Sequence, residues 1–176
     1  MMYLLSLLAL LIPVVVVQLR WAYRRRQLMM GTWNDVLTGI EKVDLEGIKA
    51  IAECYLQPDK HQLRIEPGEM WQIAGGLEGL ARLKGNAEAM LNLAIYSERW
   101  NRDDGRVVSE MIRHDALRLN RAVRQIQVRY LFGFGIVRTT FYLQDAVASY
   151  YLIRSRLLGQ YQNAHVGLIP GLEAAL

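Results

Sequence analysis

The first seventeen residues constrain this chain more than any other feature. Met1 to Val17 carries no charge, and Ser6 is its one small polar side chain. Gln18 and Leu19 follow, and then Arg20. Nineteen residues of helix span about 28 Å, close to the roughly 30 Å of a bilayer's hydrocarbon core. Residues 1–19 therefore read as a transmembrane helix. Pro13 falls inside it and kinks it, as membrane helices tolerate. A buried core helix is a poor alternative, because the segment has no polar face to meet water.

A cleaved signal peptide would need a positive region before the apolar run and small residues at a cleavage site. Here the positive cluster comes after the run. Arg20, Arg24, Arg25 and Arg26 lie in a basic juxtamembrane segment, residues 20–30, with Trp21 and Tyr23 where an interfacial aromatic belt belongs. The expectation is an uncleaved anchor. The positive-inside rule then puts the N-terminus outside and everything after the arginines in the cytoplasm.

The same four arginines explain the chain's basicity. The net charge is +4, and without them 17 basic side chains face 17 acidic ones. A pI of 9.3 would ordinarily raise nucleic-acid binding. Here the excess sits at one point beside an apolar run, so the bilayer is the expected partner and nucleic acid is not.

No later stretch offers 18 uncharged apolar residues. The longest, Tyr130 to Val137, is closed by Arg138. Residues 31–163 are expected to form one all-α domain, an antiparallel bundle of about four helices, with 164–176 as an apolar tail. Leu45, Ile48, Ile51, Ala52, Tyr55 and Leu56 have helical spacing behind Asp44, a suitable N-cap. Trp33, Val36, Leu37, Ile40 and Val43 share that spacing, so this region holds one bent helix or two. Pro67 suits the first turn of a second long helix running to about Trp100, with Asn101 to Gly105 as a turn. A third stripe runs from Val108 through Ile112, Leu119 and Ile126. A fourth runs from Leu143 through Val147, Tyr150, Leu157 and Tyr161.

Charge is divided unevenly. Residues 27–98 hold 6 basic and 11 acidic side chains, and residues 99–156 hold 11 and 5. Two halves of one bundle could neutralise each other. Alternatively Arg106, Arg113, Arg121 and Arg124, on the polar side of the third helix, face anionic lipid.

Chemistry-bearing motifs are scarce. One cysteine, Cys54, excludes an internal disulfide framework. Its helical phase makes it an incidental half-buried thiol. Di-iron bundles need inward-facing E-x-x-H motifs, and the nearest feature, Glu110 and His114, is four apart and points to the polar side. There is no phosphate loop, no G-x-S-x-G elbow and no C-x-x-C-H haem motif. Asp103-Asp104 precedes Gly105 as an ordinary turn. No metal and no cofactor are expected.

Three features remain. Gly75 and Gly79 form a G-x-x-x-G pair, which admits a close backbone: the bundle's own, a partner helix, or a flat pigment-like ligand. Asp115 points into the third helix's apolar stripe and Arg154 into the fourth's. A charge facing a core needs a partner, so the two are expected to pair across the helices, with Lys84 as a substitute cation. Finally, Phe132, Phe134 and Ile136 belong to a connection too apolar for an ordinary loop, a candidate partner contact.

Together these features point to a non-catalytic, membrane-anchored accessory or scaffolding subunit that binds a protein partner or itself. Two alternatives stand beside it. One is a small-ligand or pigment-binding helical module with a groove at Gly75, Gly79 and the fourth helix's tyrosines. The other is a membrane-associated enzyme working through Asp115, which requires a water-filled pocket there rather than a dry, paired carboxylate.

Overall fold

The computed structural model describes residues 39–58, 65–98 and 102–163. Five α-helices lie among them: α1 Leu45–Leu56, α2 Pro67–Ile73, α3 Gly76–Ser97, α4 Arg102–Leu131 and α5 Thr140–Asn163. A 3-10 turn, Ile136–Thr139, leads into α5. The described residues contain no strand, so the all-α expectation holds for them. The transmembrane segment, the basic juxtamembrane segment and the apolar tail lie outside the described residues. No described helix is long and apolar enough to cross a membrane.

α5 is the centre of the bundle and packs against α1, α3 and α4. α4 and α5 form a long helical hairpin, and short connections make α3, α4 and α5 successive antiparallel neighbours. The apolar stripes meet as their periodicity requires. Ile112, Leu119 and Ile126 of α4 are fully buried, as are Leu143, Val147, Tyr150, Ile153 and Leu157 of α5. They share one core with Leu80, Leu83, Met90 and Leu93 of α3 and Ile48 and Ile51 of α1. Fully burying such a side chain contributes about 1.5–3 kcal/mol, so this core is the main force holding the fold.

Asp44 caps α1 as its position suggests. Its carboxylate accepts from the Gly47 backbone N–H at 3.1 Å. Residues 40–44 just before it are not helical. The spacing of Ile40 and Val43 therefore does not extend a helix into α1, while Trp33, Val36 and Leu37 lie outside the described residues.

The long helix expected from Pro67 to Trp100 is instead two. Pro67 does open α2, but the chain breaks at Ala74 and restarts at Gly76. Gly75 and Gly76 have φ of 72° and 61°, left-handed conformations that cost an L-residue roughly 1–2 kcal/mol. The apolar stripe continues through the break because α2 and α3 both face the core. Of the turn expected at Asn101 to Gly105, residues 102–105 are helical instead, the start of α4.

Polar groups pin the helices where the core alone would let them slide. Asn86 of α3 is buried. It accepts from the Glu41 backbone N–H at 2.8 Å, donates to the Glu41 carbonyl at 2.7 Å, and donates to the Tyr150 hydroxyl at 3.3 Å. One amide thus ties the segment before α1 to both α3 and α5. Farther along, the Tyr161 hydroxyl donates to the Leu93 carbonyl at 3.0 Å, and Gln160 donates to Ser97.

Candidate functional site

Asp115 is buried, and its partner is Arg156, not Arg154. Arg156 also donates to the Met111 carbonyl at 3.2 Å. The correction has a geometric cause. Residues 154 and 156 lie roughly 160° apart around α5 at about 100° per residue. Arg154 sits on the stripe but faces α1, where it lines a small cleft with Leu45, Lys49 and Tyr151. Arg156 sits on the flank facing α4, and its long stem carries the guanidinium to Asp115 while part of the side chain keeps its water. Lys84, the substitute cation, is exposed.

Burial pushes the Asp115 carboxyl above its ordinary value, against the pull of Arg156, His114 and Arg118. This carboxylate is enclosed and paired. Two clefts beside α1 are lined by other charged side chains, Lys42, Asp44 and Arg82 in one and Glu46, Lys49 and Arg154 in the other.

A second ion pair links the same two helices. Arg118 donates from Nε to Asp145 at 2.6 Å, and its Nη2 donates to the Tyr55 hydroxyl at 3.3 Å. Tyr55 in turn donates to Asp145 at 3.4 Å. Hydrogen bonding to Asp145 raises the Arg118 guanidinium further and keeps it charged. The triangle joins α1, α4 and α5. Among the described residues no group of three or more His, Cys, Asp or Glu comes together as a metal site would need.

Gly75 and Gly79 do meet a backbone closely, and it is the chain's own. A Cβ on Gly79 would lie 1.8 Å from the Ala74 carbonyl oxygen and one on Gly75 would lie 3.1 Å from the Gly79 Cα. The pair builds the α2–α3 joint. Gly79 is buried there and is not open to a partner helix. An open cleft of about 280 Å³ lies beside it, lined in part by Lys42, Asp44, Ile48, Ile73 and Arg82. The residues that line this cleft include no tyrosine of α5.

The apolar connection between α4 and α5 is exposed. Leu131 is 83% exposed, Phe132 76% and Val137 75%. Phe134 and Phe141 are exposed as well, while Ile136 is half-buried at the start of the 3-10 turn. Two aromatics at the base of the tip are engaged: Tyr130 stacks on Trp71 of α2, and Tyr142 lies under Arg129 with the ring centroid 4.7 Å from the guanidinium. Arg138 stands over Phe134 at 5.8 Å. The tip is thus braced at its base and carries exposed apolar side chains with arginines beside them.

Arg20, Trp21, Tyr23, Arg24, Arg25 and Arg26 lie outside the described residues, as do His61 and His165. Cys54 is half-buried and His114 and Glu110 are exposed, as their helical phases require. The residues missing from the sequence reading are Arg156, Asn86 and the Tyr55–Arg118–Asp145 triangle. Their signal was weak: Asn86 and Tyr55 lie in phase with apolar stripes and Arg118, Asp145 and Arg156 beside them, but helical phase alone does not name a partner.

The chain matches no family model, and no characterised protein or solved structure is significantly similar to it.

Proposed function

We propose that this chain is a non-catalytic, membrane-anchored helical protein, an accessory or scaffolding subunit of a membrane-associated complex. Residues 1–19 span the bilayer, Arg20, Arg24, Arg25 and Arg26 hold the following bundle on the cytoplasmic side, and the bundle presents an interaction surface there. The observation that carries this reading is the uncharged run from Met1 to Val17 closed by Arg20, Arg24, Arg25 and Arg26, which holds the bundle at a membrane; the exposed apolar tip at Leu131, Phe132, Phe134 and Val137 adds a surface to be covered there. Large apolar side chains gathered at one surface mark a contact that the isolated bundle leaves unfilled. The spending of its inner charges on helix-to-helix pairs, Asp115 with Arg156 and Arg118 with Asp145, also supports a structural role over an acid–base one.

The test is affinity purification of the full-length protein from native membranes in mild detergent, with co-eluting proteins identified by mass spectrometry. A stoichiometric protein partner is the expected result. A chain that elutes alone overturns the subunit reading.

A further inference from the structure

The outer side of α4 continues the tip. Exposed Val107, Met111, Leu117 and Val128 share it with exposed Arg106, Arg121 and Arg124 and with exposed Glu110. At about 100° per residue these positions fall within roughly 140° of the helix circumference. The strip runs along α4 into Leu131 and Phe132 at the tip. From residue 116 to residue 144 the chain has no Asp or Glu and five arginines: Arg118, Arg121, Arg124, Arg129 and Arg138. Arg118 is taken up by Asp145. Arg121, Arg124 and Arg138 are exposed around the apolar side chains.

We infer that this strip and tip form a second membrane contact, which lays the bundle against a bilayer surface rich in anionic phospholipid. The inference rests on the proposed function in placing the chain at a membrane, and it names what the tip meets there. Three observations choose lipid over a protein groove. Leu131, Phe132 and Val137 are three-quarters or more exposed and Phe134 is 41% exposed, apolar surface that a deformable bilayer accepts without a matching cavity. Along residues 116–144, the tip and the part of α4 that leads into it, every charged side chain is an arginine, complementary to phosphate headgroups, and Glu110 lies at the far end of the strip. Arginine places its stem among apolar side chains and its guanidinium at headgroup level, which suits the mixture seen along α4. Phe132 and Phe134 enter the boundary between headgroups and acyl chains, while Arg138 and Arg124 hold phosphates beside them.

The experiment uses the full chain with Cys54→Ser and a single new cysteine, Phe132→Cys, carrying an environment-sensitive fluorophore. A parallel protein carries the label at Lys84→Cys, on α3. Each is reconstituted into vesicles of phosphatidylcholine alone or phosphatidylcholine with phosphatidylglycerol, with brominated acyl chains as quenchers. The expected result is blue-shifted, quenched emission at position 132 in the anionic vesicles, with position 84 remaining aqueous. Replacing both Arg121 and Arg124 with Gln lowers the ratio of docked to undocked bundle about 25-fold, from about 1 kcal/mol for each arginine near an anionic surface. Circular dichroism checks that these surface variants keep their helix content. An aqueous, unquenched label at position 132 in both vesicle types overturns the inference. So does shielding that appears only when a co-purified protein is added, which assigns the tip to that protein. The anchor is read separately by alkaline extraction: release of the chain counts against the anchor, while quenching at position 132 before extraction still supports the tip.

Discussion

The guanidinium of Arg118 grips the carboxylate of Asp145 at 2.6 Å, and the hydroxyl of Tyr55 closes a triangle with both. Three helices meet at these three side chains. Arg118 is partly exposed and Asp145 mostly buried, which places the pair between a surface ion pair and an enclosed one. A double-mutant cycle on Arg118→Ala and Asp145→Ala should give a coupling of about 1 kcal/mol, the upper end for partly exposed pairs. Tyr55→Phe should cost about 0.5–1.5 kcal/mol through its lost hydrogen bonds. Thermal unfolding in mild detergent measures all three. Strict additivity of the two alanine variants would show that the contact does not hold α4 to α5.

Asn86 couples the segment that leads in from the N-terminus to the body of the bundle. Its amide exchanges two hydrogen bonds with the Glu41 backbone. Asn86→Leu fills the site with an apolar group and strands the Tyr150 hydroxyl inside it. The expected loss is about 2–3 kcal/mol for the stranded buried group and the lost bonds. Limited proteolysis should also cut faster at Lys42. A variant that unfolds early yet resists cutting at Lys42 would separate core damage from the tether and sink the second role.

Much of the fold was legible in the sequence where one period governs a long stretch. The stripes of α4 and α5 repeat over many turns, and their buried residues follow the repeat. Asp44 announced α1 because a cap is a local device. The break at Gly75 was hidden by the same logic: the stripe runs on through it, and only the adjacent Gly75 and Gly76 hinted at left-handed backbone. The site was less legible because pairing is three-dimensional. Helical phase pointed Asp115 to Arg154, yet a long side chain on the flank, Arg156, reached it first. Asn86 gave no signal because its main partner is the backbone of Glu41, which no side-chain pattern reports.

The glycines of the α2–α3 joint and of α3 should respond in opposite directions. Gly79→Ala drives a methyl into the Ala74 carbonyl and should cost about 3 kcal/mol or more. Gly75→Ala imposes a left-handed alanine and should cost about 1–2 kcal/mol. Gly85 lies in mid-helix, and a Cβ there meets nothing within 4 Å. Gly85→Ala should therefore stabilise the protein by about 1 kcal/mol. Melting temperatures of the three variants check this. Equal destabilisation at Gly79 and Gly85 would contradict the joint described for α2 and α3.

The orientation of the proposed anchor depends on charge beside it. Replacing Arg20, Arg24, Arg25 and Arg26 with Glu removes the positive flank that retains a segment in the cytoplasm. Protease protection in membrane vesicles should then show a substantial fraction of inverted or uninserted chain. Unchanged topology would remove the arginines from that role.

Asp115 should make stability depend on pH in a direction opposite to most ion-paired carboxylates. Burial raises its pKa above the ordinary 3.8, and the charges of Arg156, His114 and Arg118 offset that only in part. The folded chain thus holds the proton more tightly than the unfolded chain. The stability this group contributes is present in full below 3.8 and is lost as the pH rises through the raised folded value. Asp115→Asn abolishes the titration, so its stability relative to the unmodified protein should improve between pH 4 and pH 7. Arg156→Gln does the reverse. It strands a buried carboxylate and should cost about 3 kcal/mol at neutral pH, and less in acid where the carboxyl takes up a proton. Thermal unfolding of both variants across that range decides the matter. A penalty for Arg156→Gln that is the same at pH 4 and pH 7 would mean that the carboxylate finds water instead of depending on its arginine.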